Sequence, residues 1–392
     1  MNPRKTRILQ VLECGGPGGT GNQVSAIVRG LDPDRFETTL VYNVRPGASA
    51  EEFERQAAGP SRKEDERRDG HAALASAAGA CTCIRVPEMV REISPREDLS
   101  ALLRLRAIFR ERRPDVVHAH SSKAGYLARA AGLLAGVPRV LYSPRGYSFL
   151  QLDRSPASRR LYRTLEASVA WIGEIVACSP SEARYARSLG TARRVRVVRD
   201  AYLGQLPPER PPRGSGTPWR ICAAGRLSPP KNPEAFVRLA ARLAALRPDV
   251  RCLWIGDGEL APRVRALAAE LGLGEKFELT GWLPHADALG RIQHCDVFVH
   301  YSGWEGLPNA VLDAFACGLP VVASDIPGNR DLVRSGENGW IAKDEELLFE
   351  RVRELLETPD RRSELGRRGR TLIEKEFHVS RLIAELSRVY TE

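Results

Sequence analysis

Short apolar runs alternate with amphipathic segments along both halves of the chain. Continuous apolar runs of this length are typical of strands buried on both faces of a parallel sheet. The intervening segments, such as 98–112 and 123–135, space their leucines as amphipathic helices do. The pattern therefore predicts an α/β fold of parallel sheets joined by right-handed helical crossovers. The predicted strands are 7–13, 38–44, 115–119, 139–143, 174–178 and 195–199, followed by 219–224, 251–255, 277–280, 296–300, 320–323 and 338–341.

A proline- and glycine-rich stretch interrupts this alternation at mid-chain. Residues 203–219 contain five prolines and three glycines, a composition that neither a helix nor a central strand tolerates. We therefore predict two Rossmann-like domains of similar size. The predicted bounds are 1–203 for the first domain, 204–218 for the linker, 219–376 for the second domain and 377–392 for a C-terminal helix, with a surface loop at 57–72.

The composition, 43% hydrophobic and 28% charged over 392 residues, is that of a globular protein of about two domains. No run approaches the ~20 apolar residues of a membrane-spanning helix. The eight cysteines include no C-x-x-C motif, so buried free thiols are expected rather than a zinc ribbon or a redox site. We accordingly expect a cytoplasmic protein.

Positive charge is concentrated in one part of the chain. Residues 101–200 hold 19 lysines and arginines against 7 acidic residues, whereas residues 201–392 hold 26 against 27. Such an excess suits phosphates, nucleic acid or an anionic lipid surface, although a solvated arginine-rich surface also explains it. Because the chain is only 6% aromatic and 101–200 shows no stacking motif, nucleic-acid binding is disfavoured.

A glycine-rich loop follows the first predicted strand. Gly16, Gly18 and Gly21 form a G-x-G-x-x-G pattern that opens a helix, where backbone N–H groups can approach a phosphate. A dinucleotide site also requires an acidic residue at the end of the second strand, which 38–44 lacks. We therefore predict another phosphate or sugar contact, with a plain tight turn as the alternative.

No metal-binding pattern stands out. The D-x-D sequence at 32–34 contains proline and follows a helix, so it is predicted to be a turn. No other group of carboxylates or histidines has the spacing of metal ligands. The expectation is a protein that uses neither a metal nor a cofactor.

Two histidines end the predicted strand near 115–119. At the carboxyl end of a parallel strand, His120 can donate a hydrogen bond to a substrate hydroxyl or phosphate. His118 lies deeper in the sheet and is predicted to be structural. Lys123 follows in the same loop and is a further candidate site residue.

Strand-to-helix loops in the second half carry phosphate-binding chemistry. Arg226 and Lys231 flank one loop and are predicted to converge on a diphosphate, the arginine as a bidentate fork and the lysine as a point charge. Gly256 and Gly258 form a glycine turn after the next strand.

A further loop, after the predicted strand 296–300, joins that strand to a helix. The backbone around Gly306, Leu307 and Pro308 suits a phosphate at the helix N-terminus, and Glu305 can accept hydrogen bonds from sugar hydroxyls. Asp313 lies eight residues after Glu305 and is a further candidate site residue. The alternative interpretation is that it is simply an exposed acidic residue on the helix.

These motifs, in this order, resemble the retaining family-4 glycosyltransferases of GT-B architecture, in which two Rossmann-like domains with parallel sheets face each other across a cleft. The resemblance covers residues 15–331, and the C-terminal helix 379–390 is similar to the one that crosses back to the first domain in this fold. The motifs are the glycine loop Gly15 to Gly19, HAHSSKAG around His120, GRLSPPKN with Arg226 and Lys231, WIGDGEL, EGLPNAVLD from Glu305 to Asp313, and ACGLPVVASDIPGN.

The resemblance implies transfer of a sugar from a nucleotide diphosphate donor, with retention of configuration, to an acceptor bound by the first domain, where Lys123 is assigned to the acceptor. Arg226 and Lys231 would neutralise the leaving diphosphate, Glu305 would hold the donor sugar, and His120 would contact that sugar near the reacting centre. The residues assigned to the donor are Gly16, Gly18, Gly256, Gly258, Gly306, Leu307, Pro308 and Asp313, of which Asp313 would bind the ribose. The sequence at 325–331 is similar to that of enzymes using UDP-sugars.

This chain departs from the family pattern in three places. Asp313 replaces the usual second glutamate and is one methylene shorter. Arg145 stands where a histidine normally precedes glycine, which suggests an anionic acceptor such as a lipid pyrophosphate. Near residue 200 an asparagine–glycine pair is replaced by Asp200 and Ala201.

We therefore predict a glycosyltransferase of cell-surface polysaccharide biosynthesis (capsule, exopolysaccharide or O-antigen) that uses a nucleotide-sugar, with UDP favoured, and a saccharide acceptor that is lipid-linked. The basic first domain would hold it peripherally on anionic lipid at the cytoplasmic face of the inner membrane. The alternatives are a non-transferring GT-B enzyme such as a UDP-sugar 2-epimerase, and a basic nucleic-acid-binding protein.

Overall fold

The computed structural model describes residues 4–16, 18–58, 81–152, 154–210 and 216–392. Packing divides the chain into a first unit, Met1–Leu150, Pro156–Leu203 and Val379–Glu392, and a second unit, Gln151–Ser155 and Gly204–His378. Three predicted features fall partly outside the described residues: the loop 57–72 from residue 59 onward, the linker at 211–215, and Pro17 of the glycine loop.

The first unit is built on one parallel sheet. Its strands are β1 (Thr6–Gly15), β2 (Phe36–Val44), β3 (Thr82–Arg85), β4 (Val116–His120), β5 (Arg139–Ser143), β6 (Glu174–Ala177) and β7 (Val195–Val197). They are arranged in the order β3-β2-β1-β4-β5-β6-β7. The helices of this part of the chain are α1 (Gly19–Gly30), α2 (Ala50–Ala58), α3 (Pro95–Arg112), α4 (Ser122–Ala135), α5 (Pro156–Val169) and α6 (Pro180–Arg187).

The second unit contains a second parallel sheet of the same type. Its strands are β8 (Trp219–Ala224), β9 (Val250–Ile255), β10 (Phe277–Leu279), β11 (Val297–His300), β12 (Val321–Ser324) and β13 (Gly339–Ala342), in the order β10-β9-β8-β11-β12-β13. Its helices are α7 (Pro233–Leu246), α8 (Ala261–Glu270), α9 (His285–Gln293), α10 (Asn309–Ala316), α11 (Pro327–Arg330), α12 (Glu345–Glu357) and α13 (Pro359–Glu376).

The last helix, α14 (Val379–Thr391), belongs to the first unit. Its apolar side, including Leu382, Leu386 and Val389, packs with Ile27 of α1 against one face of the first sheet. Helices α3 and α4 supply the apolar cover on the opposite face. Both faces of the sheet are thus buried, which is why its central strands carry apolar side chains on both faces.

The predicted fold class is confirmed, because both sheets are parallel and every predicted strand coincides with an observed one. Strand β3 was not predicted. It has four residues, lies at the edge of the sheet and is only partly buried, and polar residues, Thr82 and Arg85, form both of its ends.

None of the helices in the described ranges combines the length and apolarity needed to cross a bilayer. All eight cysteines fall within these ranges and carry free thiols, six of them buried, as the absence of a C-x-x-C motif predicts.

Candidate active site

In each unit, the strand order reverses between two neighbouring strands, and ligands of doubly wound sheets bind at the carboxyl ends of such strands. The reversal lies between β1 and β4 in the first unit and between β8 and β11 in the second. Several of the polar residues predicted from sequence lie at or just after these strands. One polar cluster lies at each reversal: Glu305 with Lys231 in the second unit, and His120 with Arg145 in the first.

The cluster of the second unit is centred on the carboxylate of Glu305. Oxygen Oε1 of this side chain forms an ion pair with Nζ of Lys231 and accepts a hydrogen bond at 3.1 Å from Nε2 of His300. Burial opposes the charge of Glu305, but Lys231 and His300 outweigh it and hold the pKa at about 2. Glu305 is therefore a carboxylate at every ordinary pH, and it accepts hydrogen bonds only.

His300 was missed by the sequence analysis although it is the last residue of β11. Burial lowers the pKa of His300, so the ring is neutral and donates from Nε2 to Glu305. Ser302 Oγ lies 3.2 Å from the same nitrogen. The rule that polar residues at the carboxyl ends of parallel strands carry function would have identified His300.

Lys231 reaches Glu305 from a short 3₁₀ turn, Pro229–Lys231, ahead of α7. Its aliphatic stem passes over Gly225, whose Cα would place a Cβ only 3.3 Å from Lys231 Cε. Gly225 has φ = 144°, in the region that favours glycine. Glycine at this position thus allows the lysine to lie close to the end of β8.

Arg226 does not share a partner with Lys231. Its Nε donates at 2.9 Å to Glu259, and the two side chains are 57% and 49% exposed. An ion pair this open to water contributes little to stability. The guanidinium is accordingly held loosely at the surface, apart from the Lys231–Glu305 pair.

Gly256 and Gly258 are explained by close packing of backbone. A Cβ at Gly256 would lie 2.2 Å from the carbonyl oxygen of Gly225, and one at Gly258 would lie 2.5 Å from that of Leu227. Gly256 also has φ = 134°. These glycines bring the ends of β8 and β9 together.

The predicted phosphate-binding segment leads into α10. Pro308 precedes the first helical residue, Leu307 is buried, and the backbone of Gly306 runs against Gly328. Asp313, one turn into α10, receives a 3.0 Å hydrogen bond from Nε2 of His285, and this bond raises the pKa of His285.

The cluster of the first unit contains His120, which ends β4 beside β1. Its ring is fully buried: Nε2 lies 2.7 Å from Oε1 of Gln10, and Nδ1 lies 3.3 Å from Nε of Arg145. Burial, with His118 and Arg145 nearby, holds the pKa of His120 well below its usual range. Both ring nitrogens are engaged by the protein, so a contact with a substrate through either nitrogen requires that the ring give up one of these two partners.

Arg145 and Lys123 differ from their predicted roles. Arg145 is buried and forms an ion pair with Asp200, and the side chain of Lys123 is only 9% exposed and forms an ion pair with Asp98. Each cation already has a carboxylate within the first unit, so we no longer assign either one to an anionic acceptor. Two of the departures from the family pattern, at 145 and 200, are the two halves of one buried ion pair.

The glycine loop adopts a conformation that requires glycine. Gly16 and Gly18 have φ = 103° and 142°, and a Cβ at Gly21 would lie 2.5 Å from the carbonyl oxygen of Gly16. The loop turns tightly from β1 into α1. It places the N-terminus of α1 beside the end of β1, at the strand reversal that also carries His120.

Two doubly wound parallel sheets, each with a polar cluster where its strand order reverses, define an enzyme of the GT-B class. Residues 18–201 match the Glycosyl transferase 4-like domain, and residues 208–372 match the Glycosyl transferases group 1. The chain belongs to this family, and it is a glycosyltransferase.

Relatives of known function support the assignment. The UDP-Gal:alpha-D-GlcNAc-diphosphoundecaprenol alpha-1,3-galactosyltransferase of Escherichia coli is 29% identical over 65% of this chain and 69% of its own length. The D-inositol 3-phosphate glycosyltransferase of Thermobispora bispora is 30% identical over 75% of this chain and 74% of its own length. The solved structure of Anabaena HepE in complex with UDP-glucose aligns with a TM-score of 0.74 at 17% identity, over 98% of this chain and 99% of that one, and shows the shared fold.

Proposed function

We propose that this glycosyltransferase transfers a sugar from a UDP-sugar to a lipid-linked saccharide with retention of the anomeric configuration, in the synthesis of a cell-surface polysaccharide. The observation that carries the proposal is the Lys231–Glu305–His300 cluster at the carboxyl end of the second sheet. The E. coli relative, by its name, uses UDP-galactose and a diphosphoundecaprenol-linked acceptor, and HepE holds UDP-glucose. Both names support a UDP donor here.

The cluster has the two charges that such a transfer needs. A leaving diphosphate gains negative charge in the transition state, and Lys231 supplies a positive charge that stabilises it. Glu305, as a carboxylate, accepts hydrogen bonds from the sugar hydroxyls. In the free enzyme the two side chains neutralise each other, and donor binding exchanges each partner for a group of the donor.

Other residues complete the proposed donor site. Exposed Arg226 is free to leave Glu259 and join the diphosphate, because a solvent-exposed ion pair costs little to break. The backbone of Gly306 and Leu307 at the N-terminus of α10 would support the phosphates. Asp313 would reach the ribose after parting from His285.

Metal independence is part of the proposal, because Lys231 and Arg226 provide the positive charge that a divalent cation provides in other transferases. Within the described residues, no group of three histidine, cysteine or acidic side chains has the arrangement of a metal site.

The test is a product analysis with an undecaprenol-diphosphate-linked saccharide and a panel of α-linked UDP-sugars, in buffer containing EDTA. We expect one UDP-sugar to be consumed, UDP to be released, and the one-bond and three-bond couplings of the new anomeric proton to report an α linkage. A β linkage would contradict retention. Loss of activity in EDTA that Mg²⁺ restores would contradict metal independence, and a 2-epimerised UDP-sugar formed without acceptor would favour the epimerase alternative.

The first unit also carries a surface suited to anionic lipid. Helix α3 exposes Leu99 and Leu103, which are 58% and 54% exposed, among arginines of the same helix. Leu133 and Leu134 at the end of the adjacent α4 are also exposed. Arginines and exposed leucines together favour contact with an anionic lipid interface, which is where a lipid-linked acceptor resides.

Neutralising four arginines of α3 and Arg113, which directly follows the helix, is expected to release the protein from anionic vesicles. Each basic residue near such a surface contributes about 1 kcal/mol, so five exchanges to glutamine should lower vesicle partitioning by about two orders of magnitude or more. The variant exchanges Arg104, Arg106, Arg110, Arg112 and Arg113. The measurement is flotation with vesicles of anionic or neutral phospholipid.

The control exchanges five exposed arginines of the second unit, and it should float as the wild type does. These are Arg263, Arg265, Arg353, Arg367 and Arg368. Equal loss of flotation in both variants would show a general charge effect rather than a docking surface, and undiminished flotation of the α3 variant would contradict the proposal.

A further inference from the structure

A continuous chain of buried hydrogen bonds connects the C-terminal helix to His120. Gln10, on β1, stands between them: its Oε1 lies 2.7 Å from Nε2 of His120, and its Nε2 donates at 3.0 Å to the hydroxyl oxygen of Tyr390, on α14. Arg145 lies beyond His120, with Nε 3.3 Å from Nδ1 of the ring. The side chains of Gln10, His120 and Tyr390 are almost completely shielded from solvent.

The chain continues beyond Tyr390 into the sheet. The Tyr390 hydroxyl lies 2.7 Å from Nδ1 of His118, whose Nε2 lies 2.9 Å from Oγ of Ser143. Ser143 in turn donates at 2.7 Å to the backbone carbonyl oxygen of Val176. His118, which we predicted to be structural, is thus the link between α14 and strands β5 and β6.

The direction of every hydrogen bond in this series is fixed by its two end groups, the Arg145 guanidinium and the Val176 carbonyl. The guanidinium of Arg145 can only donate, so Nδ1 of His120 must carry a lone pair and Nε2 its proton. The carbonyl of Val176 can only accept, so Ser143 donates to it and accepts from Nε2–H of His118, which leaves Nδ1 of His118 to accept from Tyr390. The two ends therefore impose the same direction on Gln10 and Tyr390 in the middle.

The charges around this series of hydrogen bonds are consistent with neutral imidazole rings at both His118 and His120. Burial lowers the pKa of His118 to about 3, and Arg145 acts in the same direction. The two imidazole rings lie 4.1 Å apart between centroids, a separation at which two positive rings would repel strongly. The charge of Arg145 is balanced by Asp200, and Glu182 lies next to this pair in the same buried region.

We infer that Tyr390 is a positioning residue for His120: its hydroxyl accepts from Gln10 and donates to His118, and so holds the His120 ring in one orientation with the proton on Nε2. This inference rests on the proposed function and on the family resemblance, which assigns His120 to the transferred sugar near the reacting centre. The residue that fixes the ring is 270 positions away in sequence and lies on the helix that ends the chain.

The inference gives a specific reason for a tyrosine at this position. Phenylalanine has the same ring and fills the same space, but it leaves an N–H of Gln10 and Nδ1 of His118 without partners. The Gln10 amide then loses the contact that sets which of its ends faces His120. A hydroxyl that both donates and accepts is what keeps the chain continuous.

The test compares Tyr390→Phe with Tyr147→Phe in the full-length enzyme. Tyr147 is a matched control because it is also buried in the first unit, yet its hydroxyl has no hydrogen-bond partner among the described residues. We expect Tyr390→Phe to lower kcat by about tenfold to a hundredfold, as small displacements near a reacting centre do, with the KM for the donor unchanged. Tyr147→Phe should leave both constants within twofold of the wild type.

A second measurement reads the ring directly. Long-range ¹H–¹⁵N spectra of the ¹⁵N-histidine-labelled wild type should show protonated Nε2 and bare Nδ1 for His118 and His120 at neutral pH, and Tyr390→Phe should disturb this pattern while Tyr147→Phe does not. An Nδ1-protonated His120 in the wild type, or an unchanged pattern and unchanged kcat in Tyr390→Phe, would overturn the inference. Because the spectra need no substrate, failure of the wild type to transfer sugar would count against the proposed function alone.

Discussion

Exchange of Lys231 for alanine is expected to lower kcat/KM for sugar transfer by about 10²–10³-fold, the loss typical when one group that stabilises developing negative charge is removed. Lys231 lies inside the proposed donor site, where Nζ is paired with Glu305 and the side chain is only 22% exposed. Initial rates at varied donor concentration measure the effect. The fold should survive, because His300 still donates to Glu305.

The matched control is Arg238→Ala. Arg238 is another cation of the second unit, paired with Glu345 in an ion pair that is about half exposed, and it follows Lys231 by seven residues. Its removal should change kcat/KM by less than twofold, because an exposed ion pair contributes little. Equal losses in the two variants would contradict a specific role for Lys231.

The largest expected effect on stability is at Glu166, where exchange for leucine should lower the free energy of unfolding by about 3–5 kcal/mol. Glu166 accepts hydrogen bonds at 2.7 Å from both Nη2 of Arg129 and the hydroxyl of Tyr142. The Arg129 side chain is completely buried on α4, so losing the carboxylate leaves a positive charge inside the first unit without its counter-charge. Urea denaturation followed by circular dichroism measures the change.

A double variant separates the charge from the packing. Arg129→Met combined with Glu166→Leu removes both charges and keeps apolar volume, and replacing a whole buried ion pair in this way is often neutral or stabilising. We expect the double variant to regain most of the loss. If it is as unstable as Glu166→Leu alone, packing rather than the unpaired guanidinium explains the effect.

The fold was predictable because the signal for it is local. Strands that are buried on both faces carry apolar residues on both, as β11 and β12 do, and twelve of the thirteen strands were predicted from runs of apolar residues. The exception, β3, sits at the sheet edge with half-exposed residues, so no such run is required of it. Its neighbour β2 was found because residues such as Leu40 and Val41 are fully buried.

The site was predictable only as far as local sequence places it. Strand ends brought Glu305 and Lys231 into one cluster, and the same rule would have found His300. Hydrogen bonds between residues far apart in sequence could not be predicted. Gln10 and Tyr390 are 380 residues apart, and neither segment contains a pattern that indicates its partner. Arg145 is an example. It was predicted to bind an anionic acceptor because its ion pair with Asp200 could not be recognised from sequence.

The measurement that tests the central claim most directly is thermal unfolding of the wild type and of Lys231→Ala with UDP, GDP, ADP and NAD. A ligand at ~100 times its dissociation constant adds about 2.7 kcal/mol of stability, which is readily seen as a higher melting temperature. We predict that UDP raises the melting temperature of the wild type and of Arg238→Ala, and that Lys231→Ala loses this response. A response to NAD alone, no response to any nucleoside diphosphate, or an equal response in Lys231→Ala would contradict the donor site proposed for this glycosyltransferase.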